Sequence, residues 1–89
     1  MLRQKVTICN KLGLHARASS KLVNCAGHYG SSIKMKLHEQ EVNAKSIMGV
    51  MVLGASKGTE IELIVDGEDE LEAMTTLVEL IEHKFDEGE

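Results

Sequence analysis

The sequence predicts an open-faced α/β sandwich of the α+β type, in which four mainly antiparallel strands carry three helices on one face. Two segments, residues 32–37 and 60–66, place apolar side chains at alternate positions, as half-buried strands do. Three other segments repeat apolar residues at helical spacing, which is typical of amphipathic helices. The chain has no proline, no low-complexity segment and no internal repeat. We therefore expect one domain, residues 1–89, with the element order βαββαβα.

Four segments have the apolar alternation or the turn boundaries of β-strands. The second and third are separated by a turn at His38–Glu39, so we expect them to form a hairpin. Gln4 interrupts the apolar face of the first strand. The apolar faces are predicted to consist of Leu2, Val6 and Ile8; Ile33, Met35 and Leu37; Val42 within Gln40–Asn43; and Ile61, Leu63 and Val65.

Caps and glycines mark the boundaries of the helices. The first helix is predicted to run from about Ala16 to Gly27. Ser46 caps a short helix, about Ile47–Leu53, which ends at Gly54. The acidic run Glu68-Asp69-Glu70 suits the N-terminus of the last helix. The core-facing residues of that helix are expected to be Leu71, Met74, Val78, Ile81 and Phe85.

The stretch Gly13-Leu14-His15-Ala16-Arg17 places a histidine where a loop turns into the first helix. Unpaired backbone N–H groups and the positive end of the helix dipole gather at such a terminus and bind phosphate readily. Arg17 adds a permanent cation whose forked donors suit phosphate oxygens. A lone histidine at a helix start is more often a surface residue or a cap, but this combination indicates a phosphoryl-accepting histidine.

A second segment, Asn43-Ala44-Lys45-Ser46-Ile47-Met48-Gly49-Val50-Met51, opens the second predicted helix. Together with Gly13–Arg17, at this spacing and in a chain of this length, it closely resembles the histidine-containing phosphocarrier (HPr) family of the bacterial sugar phosphotransferase system. The resemblance covers nearly the whole chain and implies the sheet order 1-4-2-3. It also implies a covalent carrier, not an enzyme, that takes a phosphoryl group from phosphorylated enzyme I and passes it to a IIA domain or protein without a cofactor.

The resemblance assigns roles to individual residues. Nδ1 of His15 would be phosphorylated, and Arg17 would stabilise the phosphoryl oxygens with the help of backbone N–H groups at the helix terminus. Ala18 stands where the family usually has proline; because alanine is a good helix former, the helix start should survive. We expect partners to dock on a basic, apolar face that includes Lys21, Lys45, Ile47, Met48 and Met51.

Ser46 has two expected roles. As the residue before a short helix, it should accept a hydrogen bond as an N-cap. The residues around it also resemble the family members whose serine is phosphorylated by the ATP-dependent HPr kinase/phosphorylase. A phosphate there would add negative charge at the positive end of a helix and beside the predicted docking face.

The charges are distributed unevenly along the chain. Residues 1–59 carry nine Lys/Arg and two Asp/Glu, or +7, whereas residues 60–89 carry one Lys and twelve acids, or −11. The basic part holds both motifs, which suits phosphate chemistry and acidic protein partners. The chain is acidic overall and no aromatic residues interleave with the basic ones, which argues against nucleic acid as a partner.

Other classes of protein are disfavoured by what the chain contains. No apolar run approaches the ~18 residues of a membrane span, so we expect a cytoplasmic monomer that does not bind membranes. Cys9 and Cys25 are expected to be buried or half-buried thiols, and no metal is expected because no second ligand pair completes Cys25-x-x-His28. The last residues, Asp86 to Glu89, should fray.

Two other functions share some of these features. A small ligand-binding regulatory module of ferredoxin-like type could have the same fold, with His15 incidental. A nitrogen-branch carrier that signals to regulators would have the same histidine motif. Incubation with phosphoenolpyruvate and enzyme I distinguishes the first from a phosphocarrier, and the neighbouring genes would distinguish the second.

Overall fold

A computed structural model describes residues 1–86 and contains the predicted order of strands and helices. The frayed end predicted for Asp86–Glu89 falls mainly on residues 87–89, which lie outside the described residues. A single turn at Lys84–Asp86 follows the last helix. The elements are β1 (Leu2–Thr7), α1 (Ala16–Ala26), β2 (Ser32–Leu37), β3 (Gln40–Asn43), α2 (Ile47–Leu53), β4 (Glu60–Asp66) and α3 (Glu70–Glu82).

The four strands form one antiparallel sheet in the order β1-β4-β2-β3, which confirms the predicted fold class and strand order. Register places apolar residues opposite one another on a single face. Val6 lies opposite Ile61, and Leu63 lies opposite Met35. Because side chains alternate along a strand, this register directs one face of the whole sheet towards the helices.

The helices cover that face and enclose an aliphatic core with one aromatic residue. The largest fully buried side chains come from the sheet face, the loop after β1 and all three helices, together with the turn after α3: Ile8, Leu22, Ile33, Met35, Val50, Ile61, Leu63, Val65, Leu77, Ile81 and Phe85. The opposite face carries cross-strand ion pairs such as Arg3–Glu62 and Lys34–Glu41. Since these pairs are exposed, each contributes little to stability.

The buried face of α3 matches the predicted one only in part. Met74 and Ile81 are buried as predicted, and Val78 is half-buried. Leu71 was expected in the core, but its side chain is 71% exposed. The centre of the buried face runs through Ala73, Leu77 and Ile81, and at about 100° per residue Leu71 lies roughly 120° from it. Phe85 is buried as expected, but it lies beyond the end of the helix, in a turn with positive φ.

Within residues 1–86, no helix is both long enough and apolar enough to cross a lipid bilayer.

The start of α3 is hydrogen-bonded to the loop before β2. The Asp69 carboxylate accepts hydrogen bonds from the backbone N–H groups of Gly30 and Ser31 and from the Ser31 hydroxyl. These donors lower the pKa of Asp69, the hydroxyl having the largest effect. The acidic residue therefore joins two segments and does not cap its own helix.

Candidate functional site

His15 is the N-cap residue of α1, which confirms its predicted position at the helix start. Its backbone is extended, with φ −77° and ψ 179°, and its carbonyl accepts the first helical hydrogen bond from Ser19. The side chain turns back so that Nδ1 accepts a hydrogen bond from the backbone N–H of Arg17, at 3.3 Å. A ring nitrogen that accepts a hydrogen bond must carry a lone pair. In the neutral imidazole of His15, the proton is therefore on Nε2. Nδ1 thus carries the lone pair and lies at the helix end.

The first turn of α1 offers donors for an anion around Nδ1. The backbone N–H groups of Ala16, Arg17 and Ala18 precede the first helical hydrogen bond. Of these, the N–H of Arg17 donates to Nδ1 of His15. The helix begins as expected with alanine at position 18, whose side chain is fully buried. The Arg17 side chain is exposed, and its guanidinium has no hydrogen bond or ion pair within residues 1–86. Its part in binding phosphoryl oxygens stays a prediction.

The loop before His15 is held by one internal hydrogen bond and by hydrogen bonds to two other segments. The Asn10 side-chain amide donates to the carbonyl of Gly13 at 2.8 Å, and the Ser19 hydroxyl donates to the carbonyl of Leu14 at 3.2 Å. The N–H of Leu14 donates to the carbonyl of Ala55, which follows α2, at 2.9 Å. These hydrogen bonds hold the backbone that leads into His15.

Close packing at Gly13 reinforces this arrangement. Gly13 has a φ of +64°, and a β-carbon built there would lie 2.6 Å from the carbonyl oxygen of Ala55 and 2.8 Å from Cα of Ser56. Only glycine permits both the left-handed conformation and this approach of two backbones. The residues after α2 thus lie directly beside the His15 loop.

Two of the predicted docking cations are engaged within the fold. Lys21 donates from Nζ to the carbonyl of Phe85 at 2.6 Å, and Lys45 donates to the carbonyl of Tyr29 at 2.7 Å. Both side chains are half-buried. Their part in docking stays a prediction, but their hydrogen bonds give each of them a role in holding loops and chain ends together.

Ser46 is the N-cap of α2, as predicted. Its hydroxyl oxygen accepts a hydrogen bond from the N–H of Gly49 at 3.2 Å, and the helix ends at Gly54 in the left-handed conformation. Because Ala55 touches the His15 loop, the C-terminal end of α2 is the end nearest His15. Seven residues of helix are about 10 Å long, which separates Ser46 from that end.

An apolar surface patch covers the outer side of α2. We define the α2 patch as Ile47, Met48, Met51 and Val52, all exposed, with Met48 reaching 70%. Val50 and Leu53 are buried, since a short helix can turn only one side to the core. The predicted docking residues of α2 therefore lie together at the surface, and Val52 extends the patch towards His15. Their role in docking stays a prediction.

Sequence reasoning missed one exposed apolar residue in the His15 loop. Leu12 is 69% exposed and immediately precedes Gly13. An apolar residue between Lys11 and Gly13, outside any strand or helix period, is the one feature of the sequence that could have indicated it.

The remaining histidines and the cysteines lie apart from His15. His28, His38 and His83 are exposed, and within the described residues no three His, Cys, Asp or Glu side chains cluster as metal ligands would. Cys9 and Cys25 are free thiols; burial raises the pKa of Cys25. Cys9 donates to the carbonyl of Ile81.

Comparison with known proteins agrees with this geometry. Residues 2–83 match the family model PTS-HPr, described as the PTS HPr component phosphorylation site. The chain is 54% identical to the phosphocarrier protein HPr of Cupriavidus necator over 89 residues, which is the full length of both.

Solved structures give the same result. A crystal structure of HPr from Thermoanaerobacter tengcongensis has a TM-score of 0.95 and 46% identity, covering 98% of each chain. A crystal structure of an HPr dimer from the same organism has a TM-score of 0.77 and 46% identity, covering 96% of this chain and 98% of that one.

Proposed function

The chain belongs to the HPr phosphocarrier family of the phosphotransferase system, and from that premise we propose that His15 accepts a phosphoryl group from phosphorylated enzyme I and donates it to IIA domains or proteins. One observation carries the proposal: Nδ1 of His15 lies at the N-terminus of α1, where it accepts a hydrogen bond from the backbone N–H of Arg17. Since the carrier turns over only with its partners, it acts as a covalent intermediate and not as an enzyme.

The transfer requires positioning and charge stabilisation more than bond chemistry by the protein. The lone pair of Nδ1 attacks the phosphorus in line, the bond from phosphorus to the donor atom of phosphorylated enzyme I breaks, and its electrons stay with that atom. The same lone pair accepts the Arg17 N–H beforehand, so that hydrogen bond is exchanged during the reaction. The Arg17 N–H then faces a phosphoryl oxygen, and the guanidinium neutralises part of its charge.

His15→Ala tests the acceptor. With phosphoenolpyruvate and enzyme I, the natural chain should gain the mass of one phosphoryl group in an acid-labile, base-stable bond, and His15→Ala should gain none. His28→Ala is the matched control, because it removes an exposed histidine outside the site and should behave like the natural chain. Full phosphorylation of His15→Ala would contradict the assignment.

Arg17→Ala tests the stabilisation of the phosphoryl group. Transfer should slow but not stop, because the backbone donors of the first helical turn remain. The rate at saturating enzyme I is the measurement. A rate equal to that of the natural chain would remove Arg17 from the mechanism.

We also propose that Ser46 is a regulatory site phosphorylated by an HPr kinase/phosphorylase. A phosphate on this N-cap would be compatible with the positive end of α2. It would place roughly −1.5 to −2 charges at the edge of the α2 patch, about 10 Å from the end nearest His15. The phosphate would therefore oppose docking of an acidic, apolar partner without contacting His15.

Ser46→Asp tests this switch with about one added charge. The variant should keep or raise the melting temperature and should slow phosphorylation of His15 at limiting enzyme I. Gln40→Glu adds the same charge at the far end of β3 and should leave the rate unchanged. Unfolding of Ser46→Asp, or a rate equal to that of Gln40→Glu, would contradict the switch.

We further propose that residues 1–89 work in the cytoplasm as one monomeric carrier domain that needs no cofactor. Because a relative has been crystallised as a dimer, the oligomeric state needs a direct measurement. Light scattering after size exclusion should give the mass of a single 9.8 kDa chain across a range of concentrations. A mass of twice that value would contradict the proposal.

A further inference from the structure

The loop between α2 and β4, residues 54–59, packs against the loop that precedes His15. It contacts the His15 loop through the Leu14–Ala55 hydrogen bond and the close approach of Gly13 to Ser56. The loop is itself fixed, since the N–H of Gly58 donates to the carbonyl of Ile8 at 2.7 Å. Ser56 and Lys57 are exposed on it. A lysine is therefore held next to the segment that carries His15.

The cations of the basic part of the chain differ in whether their side chains are hydrogen-bonded within the fold. The ammonium groups of Lys21 and Lys45 donate hydrogen bonds to backbone carbonyls. The guanidinium of Arg17 and the ammonium group of Lys57, in contrast, have no hydrogen bond or ion pair within residues 1–86. A cation with no internal partner keeps its full attraction for an incoming acidic surface, whereas an engaged cation must first give up a short hydrogen bond.

The apolar surroundings of Lys57 point to a protein partner. Leu12 is exposed beside Gly13, and Val52 is 66% exposed in the last turn of α2, two residues before Gly54. Both residues belong to the two segments that meet at the Leu14–Ala55 hydrogen bond, which also carry His15 and Lys57. A surface of exposed apolar side chains edged by two unengaged cations fits a partner surface that is apolar and acidic.

We propose that Lys57, together with Arg17, supplies the electrostatic attraction for the acidic, apolar surface of the protein that exchanges phosphoryl groups with His15. Lys21 and Lys45 serve mainly to hold the fold. This inference rests on the proposed function and assigns the docking charge to Arg17 and Lys57 in place of Lys21 and Lys45. Lys57 acts on the approach of the partner and is not a catalytic residue.

Charge reversal at Lys57 tests the proposal. The measurement is the second-order rate constant for phosphorylation of His15 at limiting phosphorylated enzyme I, over a range of salt concentrations. Lys57→Glu should lower this constant about 5- to 10-fold at low ionic strength, and the difference should shrink below about 2-fold near 1 M salt, where the Debye length is about 3 Å. The saturating rate should stay unchanged, and Lys57→Arg should behave like the natural chain.

Lys36→Glu is the matched control. Lys36 lies on the open face of the sheet, likewise has no ion pair within the described residues, and undergoes the same change of charge. Equal rate constants for Lys57→Glu and Lys36→Glu would overturn the proposal, as would a loss at Lys57→Glu that persists unchanged at high salt. If the natural chain accepts no phosphoryl group at all, the proposed function itself fails, and the inference fails with it.

Discussion

Gly13→Ala tests whether the backbone after α2 holds the His15 loop in place. The φ of Gly13 is +64°, a conformation that costs a residue with a β-carbon about 1–2 kcal/mol. The added carbon would also lie 2.6 Å from the carbonyl oxygen of Ala55 and 2.8 Å from Cα of Ser56, both backbone atoms. The two segments must therefore separate.

Separation would weaken the hydrogen bond from Leu14 to Ala55, which contributes about 0.5–1.5 kcal/mol. With the backbone strain, we expect Gly13→Ala to lower the free energy of unfolding by about 1.5–3.5 kcal/mol. The folded variant should also be phosphorylated more slowly by enzyme I, because the displaced loop moves Nδ1 of His15 relative to the backbone N–H groups at the start of α1.

Urea unfolding of two control variants separates strain from contact. Gly58 also has positive φ, +90°, but no atom of residues 1–86 beyond its chain neighbours lies within 4 Å of its β-carbon position. Gly58→Ala should therefore lose only the conformational part, about 1–2 kcal/mol. Gly30 has the same open space without positive φ, so Gly30→Ala should change stability by less than about 1 kcal/mol and leave the rate unchanged. A loss for Gly13→Ala no larger than that for Gly58→Ala would refute the reasoning.

Two further predictions concern stability. Leu77→Ala should lower the free energy of unfolding by about 2–5 kcal/mol because its side chain is fully buried, whereas Leu71→Ala should change it by less than about 0.5 kcal/mol; similar losses would contradict the buried face assigned to α3. The Ser31 hydroxyl and the Gly30 N–H lower the pKa of Asp69, so its stabilisation is present above about pH 4 and is lost as pH falls through the lowered pKa. Asp69→Asn should flatten the acid side of the stability–pH curve in urea unfolding, and an unchanged slope would contradict this linkage.

Features that depend on neighbouring residues along the chain were predictable from the sequence. The bounds of α2 follow from the Ser46 cap and the left-handed Gly54, and the structure has the predicted helix Ile47–Leu53. Strand faces followed from alternation, because a one-residue shift would turn every apolar side chain to the solvent. His15 was recognisable as a helix N-cap for the same reason: the loop glycine, the histidine and the helical residues lie within seven positions.

Only the tertiary structure decided which of several possible partners each side chain has. The apolar residues of α3 allow more than one buried face, and contact with the sheet selects the face of Leu77 over that of Leu71. The sequence by itself determined that Lys21 is a cation; its partner, the carbonyl of Phe85, lies 64 residues away along the chain. Lys57 is adjacent to the His15 loop only because two backbones meet at Gly13. Local patterns specify φ, ψ and side-chain faces, whereas contacts between distant residues arise when the elements pack together.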